Sequence, residues 1–255
     1  MSNERSRLLL RRDLLRLGLA SLAGLLLPGR AEAFGASSKL IFALLDHGSD
    51  PDPRPTALRR LAWEIVKRTS IDCELDTVRL KANSPALFKH PLLVLTGRQG
   101  LPPLSASEAA SLRRYLTYGG TLFVDSTEGG PGSAFDRSVR ELLLEVFPKQ
   151  RLAPIERDHV LYKSFYLLES AGGRVVRRPY LEGIQHDDRY AVIYSQNDYL
   201  GAWARDDLGT WEMEMDARRR ELSFRFGVNL VMYALCLDYK DDQVHLPFIL
   251  KRRKT

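Results

Sequence analysis

The stretch Leu112-Arg113-Arg114-Tyr115-Leu116-Thr117-Tyr118-Gly119-Gly120-Thr121-Leu122-Phe123-Val124-Asp125-Ser126 decides the fold. Leu112, Tyr115 and Leu116 fall at helical spacing and make one apolar stripe. Upstream, Ser105 and Glu108 have the spacing of a capping box, so a helix is predicted from about Ser105 to Tyr118. Gly119-Gly120 offers a left-handed helix terminus and a tight entry into the next element. The run Thr121–Val124 is then continuously apolar and stops at Asp125-Ser126, as a strand buried on both faces does before its loop.

The same grammar recurs on either side. Leu40–Leu45 is an apolar run ending in Asp46-His47-Gly48, and Leu92–Thr96 stops at Gly97. Leu58, Leu61, Ala62 and Ile65 share one helical face, as do Val139, Leu142, Leu143 and Val146, with Asp136 as the expected cap of that later helix and Pro148 as its stop. Tyr190–Tyr194 reads as a late core strand, a shorter strand near Val175 as part of an inserted hairpin, and Glu221–Leu237 as a closing helix. The glycine- and acid-rich stretch from Gln196 to Arg220 reads as a strand hairpin whose tryptophans pack on the core, or as a lid or partner-docking surface. Buried strands alternating with amphipathic helices imply a mostly parallel sheet in an α/β domain.

The chain has 255 residues, 38 Lys+Arg against 32 Asp+Glu, and a formal charge of +6. Two cysteines exclude a disulfide-built miniprotein. Residues 1–33 read as a removable leader: Arg11-Arg12 precede the eleven-residue apolar run Leu17–Leu27, too short to span a bilayer, and Ala31-Glu32-Ala33 gives a small-x-small cleavage pattern. The paired arginines are similar to a twin-arginine export signal, which implies the twin-arginine translocase, a periplasmic or otherwise exported location, and a mature chain starting at Phe34. The leader holds six Arg and three acids, so the remainder carries 32 basic and 29 acidic side chains. Four of those positives are Lys251-Arg252-Arg253-Lys254, within a basic tail over 241–255. The body, a single domain over 34–240, is therefore near neutral, and nucleic acid is not expected as a partner. No stable transmembrane anchor is expected. Cys73 and Cys236 are expected to be reduced or buried thiols.

The ordered segments Leu92–Gly97, Leu112–Leu116 through Gly119–Asp125, Phe135-Asp136-Arg137, Val146-Phe147-Pro148, Asp158-His159, Leu181-Glu182-Gly183, Ala191–Ser195 and Phe226-Gly227-Val228-Asn229 resemble domain-of-unknown-function family 4159. The resemblance covers nearly all of residues 39–238. It implies membership of the class I glutamine amidotransferase-like superfamily and a flavodoxin-like three-layer sandwich with a C-terminal insertion or loop region. It also implies a bacterial envelope-associated assembly with a MoxR-type ATPase and proteins bearing von Willebrand factor A domains. Catalytic members of that superfamily place a cysteine on a sharp turn after a central strand. Here that turn offers Asp125-Ser126-Thr127, so glutaminase chemistry is not expected.

Ligands of open parallel sheets collect at the carboxyl ends of the strands. The polar residues there are Asp46, His47, Arg98, Asp125, Ser126, Ser195 and Asp198, which His159 joins from its loop. Asp125, Ser126 and His159 are the candidates for chemistry, and Asp46, His47, Arg98, Ser195 and Asp198 for ligand contact. Ser126 lacks the glycines of the Gly-x-Ser-x-Gly elbow. The pairs Asp46-His47 and Asp158-His159 invite comparison with a two-histidine, one-carboxylate centre, but neighbours on an extended chain point opposite ways, so no metal is predicted. No phosphate loop is present and no cofactor is predicted. The leading expectation is a non-catalytic domain binding a partner or small ligand at this edge, and the rival is a hydrolase-type enzyme.

Overall fold

The computed structural model describes residues 39–48, 53–127 and 130–252, with side chains through Leu235. The expected leader over 1–33, the expected cleavage before Phe34 and the last three residues lie outside them.

Seven strands form one sheet: β1 (Ala43–Asp46), β2 (Val78–Lys81), β3 (Leu92–Gly97), β4 (Thr121–Ser126), β5 (Ala153–Pro154), β6 (Glu182–His186) and β7 (Arg189–Ser195), in the order β2-β1-β3-β4-β7-β6-β5. β1, β2, β3, β4 and β7 are mutually parallel, while β6 pairs antiparallel with both β7 and β5. Among the described residues the α-helices are α1 (Ala57–Arg68), α2 (Ala106–Thr117), α3 (Ala134–Val146), α4 (Tyr199–Trp203) and α5 (Ala217–Arg252). This is the expected three-layer α/β sandwich with a mostly parallel sheet.

Alternation along the strands splits the core in two. Leu44, Val94, Phe123 and Ile193 meet α1, α4 and α5 on one face, the first face here. Leu45, Leu95, Val124 and Val192 meet α2 and α3 on the second face. The Ser105–Glu108 capping box forms as predicted. Gly97, the last residue of β3, is glycine for a packing reason: a Cβ there would stand 2.6 Å from the Phe135 ring.

Four expectations are corrected. The cap of α3 is Ser133, whose hydroxyl accepts the Asp136 amide at 3.1 Å, so Asp136 sits in the first turn rather than at the cap. Val175 lies in a loop, because Asn197 captures that segment and leaves it no strand partner. The hairpin of this region is β6–β7 instead, turned through Asp187 at φ 52°. The Gln196–Arg220 stretch is no strand hairpin: it folds as α4 followed by a loop with the single antiparallel bridge Arg205–Trp211. Its tryptophans do pack on the core. Trp203 is fully buried, and Trp211 lies beneath the guanidinium groups of Arg205 and Arg220, each 4.0 Å from its ring centre. α5 starts before Glu221, at Ala217, and its backbone continues to Arg252. Cys73 is a free, buried thiol pushed up to about 11 by burial and by Asp72.

Candidate functional site

The carboxyl edge gathers the ends of β1, β3, β4 and β7. Most of what it gathers is inaccessible. Asp125 is 0% exposed and Ser126 1%, and Ser195, Gln196, Asn197 and Asp198 are equally buried. Asp46 and His47 are half-buried and Arg98 is exposed.

β4 runs straight through Ser126, which pairs with Gly97, and the Thr127 amide continues the ladder to Gly97 O at 3.0 Å. A nucleophile elbow needs a sharp, strained turn at the end of its strand, and through Thr127 β4 stays in regular register with β3. The strained position lies instead between β7 and α4. Asp198 has φ 53° and ψ 63°, left-handed values that Asp tolerates better than most residues. Its Oδ1 accepts the Gly201 amide at 2.9 Å. Oδ2 meets the Arg174 guanidinium and lies 3.8 Å from Arg54, which reaches Glu212 at 3.7 Å with its other nitrogen.

Asp125 faces this group from β4. Its Oδ2 accepts the Leu200 amide at 2.9 Å, while Oδ1 is buried without a well-aligned donor. Burial and the neighbouring Asp198 push the Asp125 carboxyl up to about 8, against the pull of the Leu200 and Tyr199 amides and the Ser195 hydroxyl. Burial also raises Asp198, opposed by Arg174 and Arg54. A carboxylate flanked by two guanidinium groups keeps its charge more readily than one flanked by a carboxylate. The pair therefore holds its proton on Asp125.

On the other face of the same strands, Asp136 accepts Arg140 Nε at 3.0 Å, Tyr194 OH at 3.1 Å, Gln196 Nε2 at 3.0 Å and the Gly132 amide at 2.8 Å. Glu182 joins this group through Arg140 at 2.8 Å.

The structure brings Asp125, Ser195 and Asp198 together, and brings His47 to β3, where Nε2 lies 3.3 Å from Thr96 O. His159 does not join them. It caps a short 3₁₀ turn, with Nδ1 accepting the Leu161 amide at 3.2 Å, and its ring packs edge-on against Tyr190 at 4.7 Å and Tyr233 at 5.6 Å. Tyr190 is the second residue of β7 and Ser195 its last, so His159, packed on Tyr190, lies some 16 Å from the carboxyl edge at about 3.3 Å per residue.

Sequence reasoning missed Arg54, Arg174 and Asn197. Asn197 accepts the Arg177 and Arg178 amides at 2.9 and 3.0 Å and donates to Gly172 O and Arg178 O, closing the 172–178 loop over β7. Its position beside Asp198 after a core strand was a usable signal, whereas nothing near Arg54 or Arg174 in the sequence points to Asp198.

A comparison with curated proteins gives no match. The family model described as "Domain of unknown function (DUF4159)" matches residues 41–235, from the first buried strand to the core-packed part of α5. The chain belongs to that family.

Proposed function

We propose that this chain is an exported, non-catalytic α/β domain of the class I glutamine amidotransferase-like type, which binds a partner or small ligand at the carboxyl edge of its sheet. One observation carries the reading: at the place where catalytic members of that superfamily present a nucleophile, Asp125 and Ser126 are buried within the sheet, and Asp125 is engaged in anchoring α4. His47 and Arg98 remain reachable at that edge. The twin-arginine leader supports export. The MoxR-type ATPase and von Willebrand factor A proteins are the envelope partners the family suggests.

Affinity capture of the exported protein from its native envelope, followed by mass spectrometry of proteins, metabolites and metals, tests the proposal. The intact protein is expected to carry a companion that the double variant His47→Ala/Arg98→Ala loses. Recovery of the bare chain in both cases overturns it.

A second reading, a hydrolase-type enzyme, rests on the Asp125 carboxyl at about 8, a value suited to general acid–base work near neutral pH. Asp125→Asn separates the two: a folded variant that has lost all turnover in a hydrolase screen favours the enzyme.

A further inference from the structure

A groove of about 410 Å³ opens on the second face of the sheet, at the edge opposite the candidate site. α2 and α3 both run against the parallel strands, so their last turns meet there beside the end of β6. Thr117 closes α2, Val146 closes α3, the chain turns through Phe147-Pro148-Lys149, and His186 ends β6; all of these line the groove together with Arg113. A volume within about 300–1,000 Å³, a mainly apolar lining and a few converging polar groups are the marks of a small-molecule site. Val146 and Phe147 supply a buried apolar floor and Pro148 an exposed apolar wall. Phe147 and His186 stack with ring centres 6.0 Å apart and planes 28° from parallel. Stacked rings on an open surface suit a planar ring system, whereas a flexible acyl chain needs enclosure.

The charged groups that line it are basic. Arg113 is exposed and donates from Nη2 to Glu145 O at 2.7 Å and from Nε to Val146 O, which fixes its guanidinium at the groove. Lys149 is exposed beside Pro148. Helix C-termini disfavour anions, but here Arg113 covers the last carbonyls of α3 and Arg189 covers Leu116 O of α2. No Asp or Glu lines the groove. Among the acids of neighbouring segments, the Glu145 carboxylate turns to the Leu104 amide at 3.2 Å, Glu141 stands one turn earlier on α3, and Asp187 lies 3.7 Å from His186 Nε2 with Asp188 after it. The exposed Arg114 and Arg151 offset that turn. Asp72, Glu74 and Asp76 precede β2, five strands from β6, which is about 24 Å at about 4.8 Å per strand. Glu74 and Asp76 are paired there with Lys39 and Arg59.

We propose that this groove binds a small aromatic anion, a planar ring system carrying a carboxylate or sulfonate, with its ring on the Phe147–His186 stack and its charge toward Arg113 and Lys149. The site is separate from the carboxyl edge, and the inference is independent of what that edge binds.

The test is fluorescence titration of the full chain with 1-anilinonaphthalene-8-sulfonate and with its uncharged counterpart N-phenyl-1-naphthylamine. The sulfonate is expected to bind saturably, about tenfold more tightly than the amine, and to lose that advantage as salt is added. Thr117→Trp fills the groove from an exposed position and is expected to weaken both probes at least about tenfold. An unchanged melting temperature shows that this variant folds, and Lys149→Glu decides alone if it does not. Lys149→Glu is expected to weaken the sulfonate about five- to tenfold and to leave the amine within about twofold. His47→Ala with Arg98→Ala, at the carboxyl edge, is expected to change neither. No saturable binding, equal binding of the two probes, or sulfonate binding indifferent to Thr117→Trp or to Lys149→Glu overturns the proposal. Loss of the sulfonate in the His47→Ala/Arg98→Ala variant alone assigns the anion to the carboxyl edge and overturns it too. Sedimentation without probe covers the rival occupant: a dimer abolished by Thr117→Trp assigns the groove to a second copy of the chain and overturns the small-molecule site.

Discussion

Two buried polar networks lie at the carboxyl edge on opposite faces of the same strands, and they are bonded very differently. On the second face, Asp136 takes four donors, two of them from β7 and its end, and bolts the start of α3 to that strand. On the first face, Asp198 spans α4, Arg174 and Arg54, but Asp125 beside it keeps one oxygen without a well-aligned donor. A saturated carboxylate is a brace. An under-bonded carboxyl next to a charged one retains a proton, and that proton makes the first-face network sensitive to pH in a way that hydrogen bonding alone does not.

The largest effect that would break this contrast is Asp198→Ala. It removes the α4 cap, leaves Arg54 and Arg174 without the carboxylate they share, and puts Ala at a left-handed φ. The expected loss is about 3–5 kcal/mol in urea denaturation. Asp198→Asn keeps the Gly201 contact and the tolerated backbone, and should cost distinctly less. Next is Asp136→Ala, which strands the Tyr194 hydroxyl in the second face and leaves the Gln196 amide only its longer bond to Glu182 at 3.3 Å, for about 2–4 kcal/mol. If the two Ala variants cost the same and Asp198→Asn costs as much as Asp198→Ala, charge is not what distinguishes the networks.

The pH dependence sharpens the comparison further. Asp125 ionises near its ordinary value of 3.8 in the unfolded chain and near 8 in the folded one. Between those values the folded state holds a proton that the unfolded state has released, so the Asp125 contribution is most favourable below about pH 4 and declines as pH rises to about 8. Asp125→Asn keeps an oxygen for the Leu200 amide and cannot ionise. Its stability should therefore fall less over that window, by on the order of 1–3 kcal/mol relative to the parent, as read by denaturant titration at pH 5 and pH 8. Parallel profiles for the two proteins would show that Asp125 is already ionised in the fold. The smallest effect is Ser133→Ala, which removes the α3 cap while leaving the Asp136 side-chain contacts in place, for about 1 kcal/mol by thermal melting.

Much of the fold was legible because it obeys short-range rules. Thr121–Val124, Leu92–Thr96 and Leu40–Leu45 are apolar without alternation because helices cover both faces of their sheet, and the Ser105–Glu108 box announces α2 within four residues. β5 escaped notice because two residues carry no periodicity. The loop around Val175 has strand-forming side chains yet is held by Asn197, some twenty residues later, so tertiary bonding overrides its propensity. The site was legible only as a place. Asp125, Ser195 and Asp198 converge as strand ends should, whereas Asp158-His159 looked equally reactive in the sequence and its His159 stands at the other edge.

The sequence alone determined the α/β class, the strand-ending polar residues, the Ser105 cap, and the gathering of net positive charge in residues 1–33 and 251–254 around a near-neutral body. Local periodicity and composition suffice for these. Only the tertiary structure decided that Asp198 answers to Arg54 and Arg174, that burial and Asp198 raise the Asp125 carboxyl, and that Ser126 is buried in register with Gly97. Each of those properties depends on which distant side chains share a buried, low-dielectric space, and nearness in the chain carries no record of that.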